Sequence, residues 1–203
     1  MTTVGILALQ GDFAEHAATL AGIGVAVREV RLPQHLDRLD ALIVPGGEST
    51  TMARLLAAYD LLEPLRTLGS SGFPIWGTCA GAIILAKRAP GLDRPNLGLM
   101  DIGVERNAFG RQIDSFETDL QIRALGPPPF HAVFIRAPII SDAGTDVEIL
   151  ARLEDGRIVA ARSGNLLATA FHPELSGDDR FHRLFAGIAQ ASLSANRAVR
   201  AGS

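Results

Sequence analysis

The chain of 203 residues holds a single cysteine, so no internal disulfide can form and the fold must rest on a packed core. Its apolar runs all fall short of the ~20 residues that a membrane helix needs. The N-terminal stretch MTTVGILALQGDFAEH lacks the basic flank, sustained apolar region and small-residue cleavage site of a secretory signal. Charge of one sign is equally scarce. The 19 basic and 22 acidic residues leave a formal net charge of -3 and form no long runs, so nothing marks a nucleic-acid or anionic-lipid surface. Internal repeats and low-complexity tracts are absent too. These absences point to a soluble, cytoplasmic protein that works on a small molecule or with a protein partner.

What is present is apolar material, at 47% of residues, enough to fill one core. It is arranged in short runs that alternate with amphipathic stretches. TVGILAL reads as a strand and DFAEHAATLAGIG as a helix, with Phe13, Ala17, Leu20 and Ala21 on one face and Gly22 and Gly24 closing it. VAVREV, DALIVP and FPIWGT read as further strands, separated by a helix over TTMARLLAAYDLLEPLRTLG and followed by another over AGAIILAK. Strands alternating with helices predict an α/β fold: three layers, with a mostly parallel central sheet covered by helices on both faces. Apolar strands without polar alternation fit that burial.

From about Met100 the pattern turns to strands, with Asp155-Gly156 and Gly164-Asn165 as hairpin turns, which predicts antiparallel additions to the same sheet. A final helix presents Phe181, Leu184, Phe185 and Ile188. One domain over residues 1–196 is expected, with residues 197–203 as a frayed tail.

The one cysteine lies in FPIWGTCAGAIILAK, residues 73–87. A lone cysteine is most often small core filler. Here, though, a strand ends at Gly77, turns at Cys79 and enters a helix at Ala80, the geometry that places a nucleophile at the carboxyl edge of a sheet. A helix N-terminus beside it favours a thiolate and can hold an oxyanion.

Five histidines could serve as its base. His16 and His182 fall on helices with charged neighbours, and His35 and His131 adjoin prolines in loops, so these four read as surface or packing residues. His172, in ATAFHPEL, follows a strand and carries Glu174 two positions on. In an extended segment both side chains face one way, which lets the carboxylate orient the imidazole. One Cys, one His and one Glu make a poor zinc set, so no metal is expected.

PGGEST, residues 45–50, places Gly46-Gly47 after a strand and Ser49 or Thr50 where a helix cap belongs. It can be a simple turn. It can also offer the Gly47 N–H as half of an oxyanion hole, with the Ala80 N–H as the other half. The lysine and spacing of a phosphate loop are missing. Arg106 and Arg136 sit in strand-like surroundings and call for carboxylates, either internal ones such as Asp114 or Glu117, or that of a substrate.

Taken in order, LQGDFAEH, PGGEST, GTCAGAIILAK, VERNAFGRQIDSFE, FIRAP and FHPEL resemble the glutaminase subunits of two-component pyridoxal 5'-phosphate synthases, which are triad-type (class I) glutamine amidotransferases. The resemblance covers about residues 4–185. It implies that Cys79 attacks the carboxamide carbon of L-glutamine, that His172 passes the proton to ammonia, and that Glu174 orients His172. It also implies an oxyanion hole at Gly47 and Ala80, and a glutamine pocket lined by Gly47, Glu48, Ser49, Arg106, Ile135 and Arg136. Gln10 matches a position that responds to the partner, a barrel-shaped synthase subunit to which ammonia is channelled. No cofactor is implied. The proline-rich GPPPF at 126–130 and the tail beyond Asn196 depart from the family pattern, away from these positions. Two other readings share the motifs: a stand-alone cysteine hydrolase, which would not need the arginines, and a non-catalytic scaffold on the same fold.

Overall fold

In the computed structural model, which describes residues 2–106 and 115–201, the first half of the chain follows the alternating pattern. β1 (Thr3–Leu7), α1 (Phe13–Gly22), β2 (Ala26–Val30) and β3 (Ala41–Val44) are followed by α2 (Ser49–Ala58), α3 (Leu62–Ser70), β4 (Ile75–Thr78) and α4 (Ala80–Leu85). These four strands are parallel, in the order β2-β1-β3-β4. β3 shows why the sheet needs cover on both sides. Leu42 and Val44 pack with Met52, Leu56 and Leu65 of α2 and α3, whereas Ala41 and Ile43 pack with Leu20 of α1 and the aromatic side chains beyond. A period of two along the strand feeds two cores.

The second half comprises β5 (Ala86–Arg88), β6 (Met100–Glu105), β7 (Ser115–Leu120), β8 (Phe130–Ile135), β9 (Ile139–Ala143), β10 (Glu148–Arg152), β11 (Ile158–Ser163), β12 (Leu166–Thr169) and α5 (Arg180–Ala201). β12 returns to lie parallel to β4, β11, β9 and β6 extend the sheet in antiparallel fashion, and β10 beside β11 and β5 parallel to β6 bring it to ten strands among the described residues. The two expected hairpin turns join β10 to β11 and β11 to β12. α5 buries Phe181, Phe185 and Ile188 against Trp76 and Phe171, at about 1.5–3 kcal/mol for each fully buried side chain. None of the described helices is long and apolar enough to cross a membrane.

Four sequence expectations need correction. The long helix after Gly47 is two helices, because Asp60 adopts φ 54° and Pro64, which has no N–H to donate, can only stand in the first turn of a new helix. The helix after Cys79 stops at Leu85: Asn96 Nδ2 donates to the carbonyls of Ile83 and Ala86 at 3.3 and 2.7 Å, taking the place of a further turn. β7 and β8 do not join the large sheet but form a ribbon of their own, since Phe116, Phe130 and Phe134 pack down onto Phe171 and α5. His131 lies within β8, not in a loop.

Candidate active site

Because β4 and β12 run parallel with Thr78 opposite Thr169, the segments leaving both strands emerge side by side. Cys79 extends this register by donating its N–H to the Thr169 carbonyl at 2.8 Å. It then turns at φ 49°, ψ -107°, a conformation costing a non-glycine residue roughly 1–3 kcal/mol. The flanking glycines make the turn possible. A Cβ on Gly77 would stand 2.3 Å from the Gly81 carbonyl oxygen, and one on Gly81 would stand 1.9 Å from that of Val44. The thiol ends up nearly buried at the floor of a cavity.

His172, leaving β12, is anchored by its own N–H, which donates to the Val133 carbonyl of β8 at 2.9 Å. Its Nδ1 lies 2.8 Å from Glu174 Oε1 and 3.2 Å from Asp12 Oδ2. Glu174 sits in a one-turn 3-10 helix, Pro173–Leu175, and not in the extended segment expected, so the turn itself folds the carboxylate back under the ring. Burial works against a charged His172, but Asp12, the Cys79 sulfur and Glu174 outweigh it and push its pKa up to about 12. Burial raises the pKa of Glu174 against the pull of that imidazolium. Asp12, His172 and Glu174 bring ligand atoms within 4.8 Å of one another, but Nδ1 is already engaged by Glu174, so the set is that of a hydrogen-bonded base and its orienter.

The cavity, of about 500 Å³, is lined by Cys79 and His172 together with Gly47, Glu48, Ser49, Ala80, Arg106, Ile135 and Arg136. Every position that the resemblance put in the pocket therefore faces one space, and Asp12, Ile83, Pro138 and Leu175 complete it. Gln10 stands beneath the turn. Its Oε1 accepts from the Glu48 N–H at 3.1 Å, and its side chain fills the place a Cβ on Gly47 would need, where φ is +143°. Glu48, and not Ser49 or Thr50, caps α2. It accepts from the Thr50 and Thr51 N–H groups at 3.0 and 2.6 Å, and these bonds overcome its desolvation and lower its pKa to about 2.

The two arginines differ. Arg106 Nη2 reaches Glu48 Oε1 at 3.2 Å across the pocket rim, and its Nη1 donates to the Gly91 carbonyl at 3.1 Å. Arg136 is exposed at φ 42° and has no ion pair or hydrogen bond among the described residues. Of the internal partners expected, Glu117 pairs with His131 at 2.9 Å, and Asp114 lies outside the described residues.

The model of the SNO glutamine amidotransferase family matches residues 6–190. The chain belongs to that family. A pyridoxal 5'-phosphate synthase subunit PdxT of Herpetosiphon aurantiacus is 62% identical over 191 residues, which cover 92% of this chain and 100% of the relative. One from Roseiflexus castenholzii is 60% identical over 185 residues, 90% of this chain and 98% of that one. A crystal structure titled glutamine amidotransferase superposes with a TM-score of 0.87 at 51% identity, covering 92% of this chain and 98% of its own.

Within this family fold, three residues near the site were not anticipated from the sequence. Asp12 follows Gly11 in the loop after β1, within LQGDFAEH, and was given no role there. His16 and His182 were assigned to surface or packing; both are fully buried, and His16 Nε2 lies 3.2 Å from Glu174 Oε2. The signal was a histidine on the inner face of α1, in register with Phe13 and Leu20. On that face it is His16, and not the exposed Ala21, that is buried.

Proposed function

We propose that this protein hydrolyses L-glutamine to L-glutamate and ammonia through a thioester on Cys79, and passes the ammonia to a synthase subunit that makes pyridoxal 5'-phosphate. The observation that carries the reading is the convergence of Cys79 and His172 at the floor of a cavity whose rim bears two arginines, with Glu174 buried behind the ring at 2.8 Å from His172 Nδ1.

The nucleophile is the thiolate, the form that a neighbouring imidazolium stabilises. It attacks the carboxamide carbon, and the carbonyl oxygen becomes an oxyanion, for which the N–H groups of Gly47 and Ala80 are the donors. The His172 imidazolium gives its proton to the amide nitrogen as the C–N bond breaks, releasing ammonia and leaving a glutamyl thioester. Neutral His172 then takes a proton from water, the resulting hydroxide adds to the thioester carbon, and the thiolate departs as glutamate forms. Glu174 holds Nδ1 through both steps, so that Nε2 stays directed at the reacting atoms.

Arg136, free of an internal partner among the described residues, is the candidate for the α-carboxylate of glutamine, with Glu48, Ser49 and Ile135 completing the pocket. Exposed Ile135 and Leu175 at the mouth offer an apolar rim to the partner subunit. Gln10, bound to the backbone that follows Gly47, is the residue through which docking can reach the oxyanion donors. The test is ammonia release from glutamine measured with and without the synthase subunit. Release that rises on docking is expected. No release in either state, with no labelling of Cys79 by a glutamine analogue, would leave the scaffold reading.

A further inference from the structure

Behind Glu174, away from the cavity, side chains from three separate elements meet in the dry core. His16 of α1 and His182 of α5 are fully buried, with His16 Nδ1 at 2.9 Å from His182 Nε2. His16 Nε2 is 3.2 Å from Glu174 Oε2 and also 3.2 Å from Thr78 Oγ1, toward which it is the better aligned. Trp76 closes the group edge-on, 5.6 Å from the His16 ring and 5.0 Å from that of His182. Glu174 Oε2 has no well-aligned hydrogen bond among the described residues, and its side chain is wholly buried. A line of polar atoms thus runs from α5 to the base beside Cys79.

The direction of these hydrogen bonds follows by elimination. Burial holds both histidines neutral, His182 at about 4 and His16 well below the ordinary histidine value. A neutral imidazole has one N–H and one lone pair. If His16 carried its proton on Nδ1, its Nε2 lone pair would face a carboxylate oxygen, and His182 would bury an orphan Nδ1–H, since that atom has no partner among the described residues. With the opposite tautomers, His182 donates from Nε2 to His16, His16 donates from Nε2 into the space between Thr78 Oγ1 and Glu174 Oε2, and what goes unmatched on His182 Nδ1 is a lone pair and not an N–H.

Resting on the glutaminase reading above, we propose that His16 is a positioning residue: its Nε2–H, at 3.2 Å from both Thr78 Oγ1 and Glu174 Oε2, is shared between them and steadies the second oxygen of Glu174, so that the first stays aimed at His172 Nδ1, and His182 fixes the tautomer of His16. The other titratable groups around the carboxylate cannot do this. His172 and Asp12 lie on its cavity side, Cys79 beyond them, and Asp178 and Asp179 are each bound to an arginine, Arg180 and Arg183.

The test compares His16→Leu with His16→Gln, whose amide nitrogen can stand where Nε2 stands, in the complex with the synthase subunit. His16→Leu is expected to lower kcat for glutamine about 10-fold or more with KM within about twofold, and to move the acidic limb of the pH profile to higher pH, because Glu174 loses a donor to its charged form. His16→Gln is expected to restore both. A glutamine variant no better than the leucine one, or an unmoved acidic limb in His16→Leu, would overturn the proposal. Nitrogen chemical shifts of the imidazoles in the unmutated protein read the same assignment without catalysis: Nε2–H on His16 supports it, and Nδ1–H overturns it. Failure of the unmutated complex to hydrolyse glutamine would defeat the functional reading alone, and the ring shifts would still decide the hydrogen bond.

Discussion

Behind His172, Glu174 and the two further histidines are shut away from water among Trp76, Phe181 and Phe185, and each polar atom has a direction forced by a scarcity of partners. In front of it, the charged groups of the cavity wall are exposed or half-exposed: Glu48 joined to Arg106, Asp12 beside the ring, and Arg136 at a positive φ with no partner among the described residues. The buried side is fixed by packing, because an unpaired polar group there is costly. The open side is held by ion pairs of the exposed kind, typically worth 1 kcal/mol or less. One base therefore has a rigid back and an adjustable front. On the proposed function, that division keeps the base constant while glutamine enters along the adjustable wall.

The comparison breaks most sharply at the reacting atom. Cys79→Ala is expected to cut ammonia release by at least about 10³-fold, because no other nucleophile replaces the thiolate, while the complex still docks and makes coenzyme from added ammonium salt. Undiminished release of ammonia in that variant would remove Cys79 from the mechanism. One step back, Glu174→Gln should lower kcat by about 10²-fold with little change in KM, since the nucleophile remains but the orientation and charge on Nδ1 are lost. A loss expressed mainly in KM would mean that Glu174 shapes the pocket and does not hold the base.

On the open side the effect should appear in the other constant. Arg136→Ala is expected to raise KM for glutamine about 10-fold or more with kcat little changed, in keeping with the loss of a hydrogen-bonded charge pair to a carboxylate. Arg106→Ala should do less, because its guanidinium is already engaged by Glu48 and Gly91. If Arg106 proved the more sensitive, the assignment of the carboxylate site would have to be exchanged between them.

Much of this was legible in the residues, and the rest was not for identifiable reasons. Cys79 between Gly77 and Gly81 could be read because the turn has a steric requirement that few sequences meet, and His172 with Glu174 because the two are close in the chain. The resemblance added the pocket positions, which lie on separate strands and loops that no local pattern connects. His16 and His182 escaped because their meaning depends on the packing of α1 and α5 against β4, and Asp12 because its partner His172 is far along the chain, both long-range facts. A histidine on a helix face looks the same whether it meets solvent or a carboxylate. The β7–β8 ribbon was placed in the wrong sheet for a similar reason: alternation identifies a strand but not its neighbour.

The smallest predicted effect lies on that ribbon, which carries Ile135 and leads into Arg136 at the open wall. His131 is exposed between Asp119 and Glu117, at 2.9 Å from each, and these two carboxylates raise its pKa above the ordinary value of 6.5. A histidine whose folded pKa is raised stabilises the fold fully below its unfolded value, and loses that contribution as pH rises through the folded one. The melting temperature of His131→Gln should therefore fall below that of the unmutated protein at about pH 5.5 and converge with it by about pH 9. Thermal melts across that range decide the point: a gap that stays constant with pH would mean that His131 contributes packing alone, and that the open wall is not braced by charge at its base.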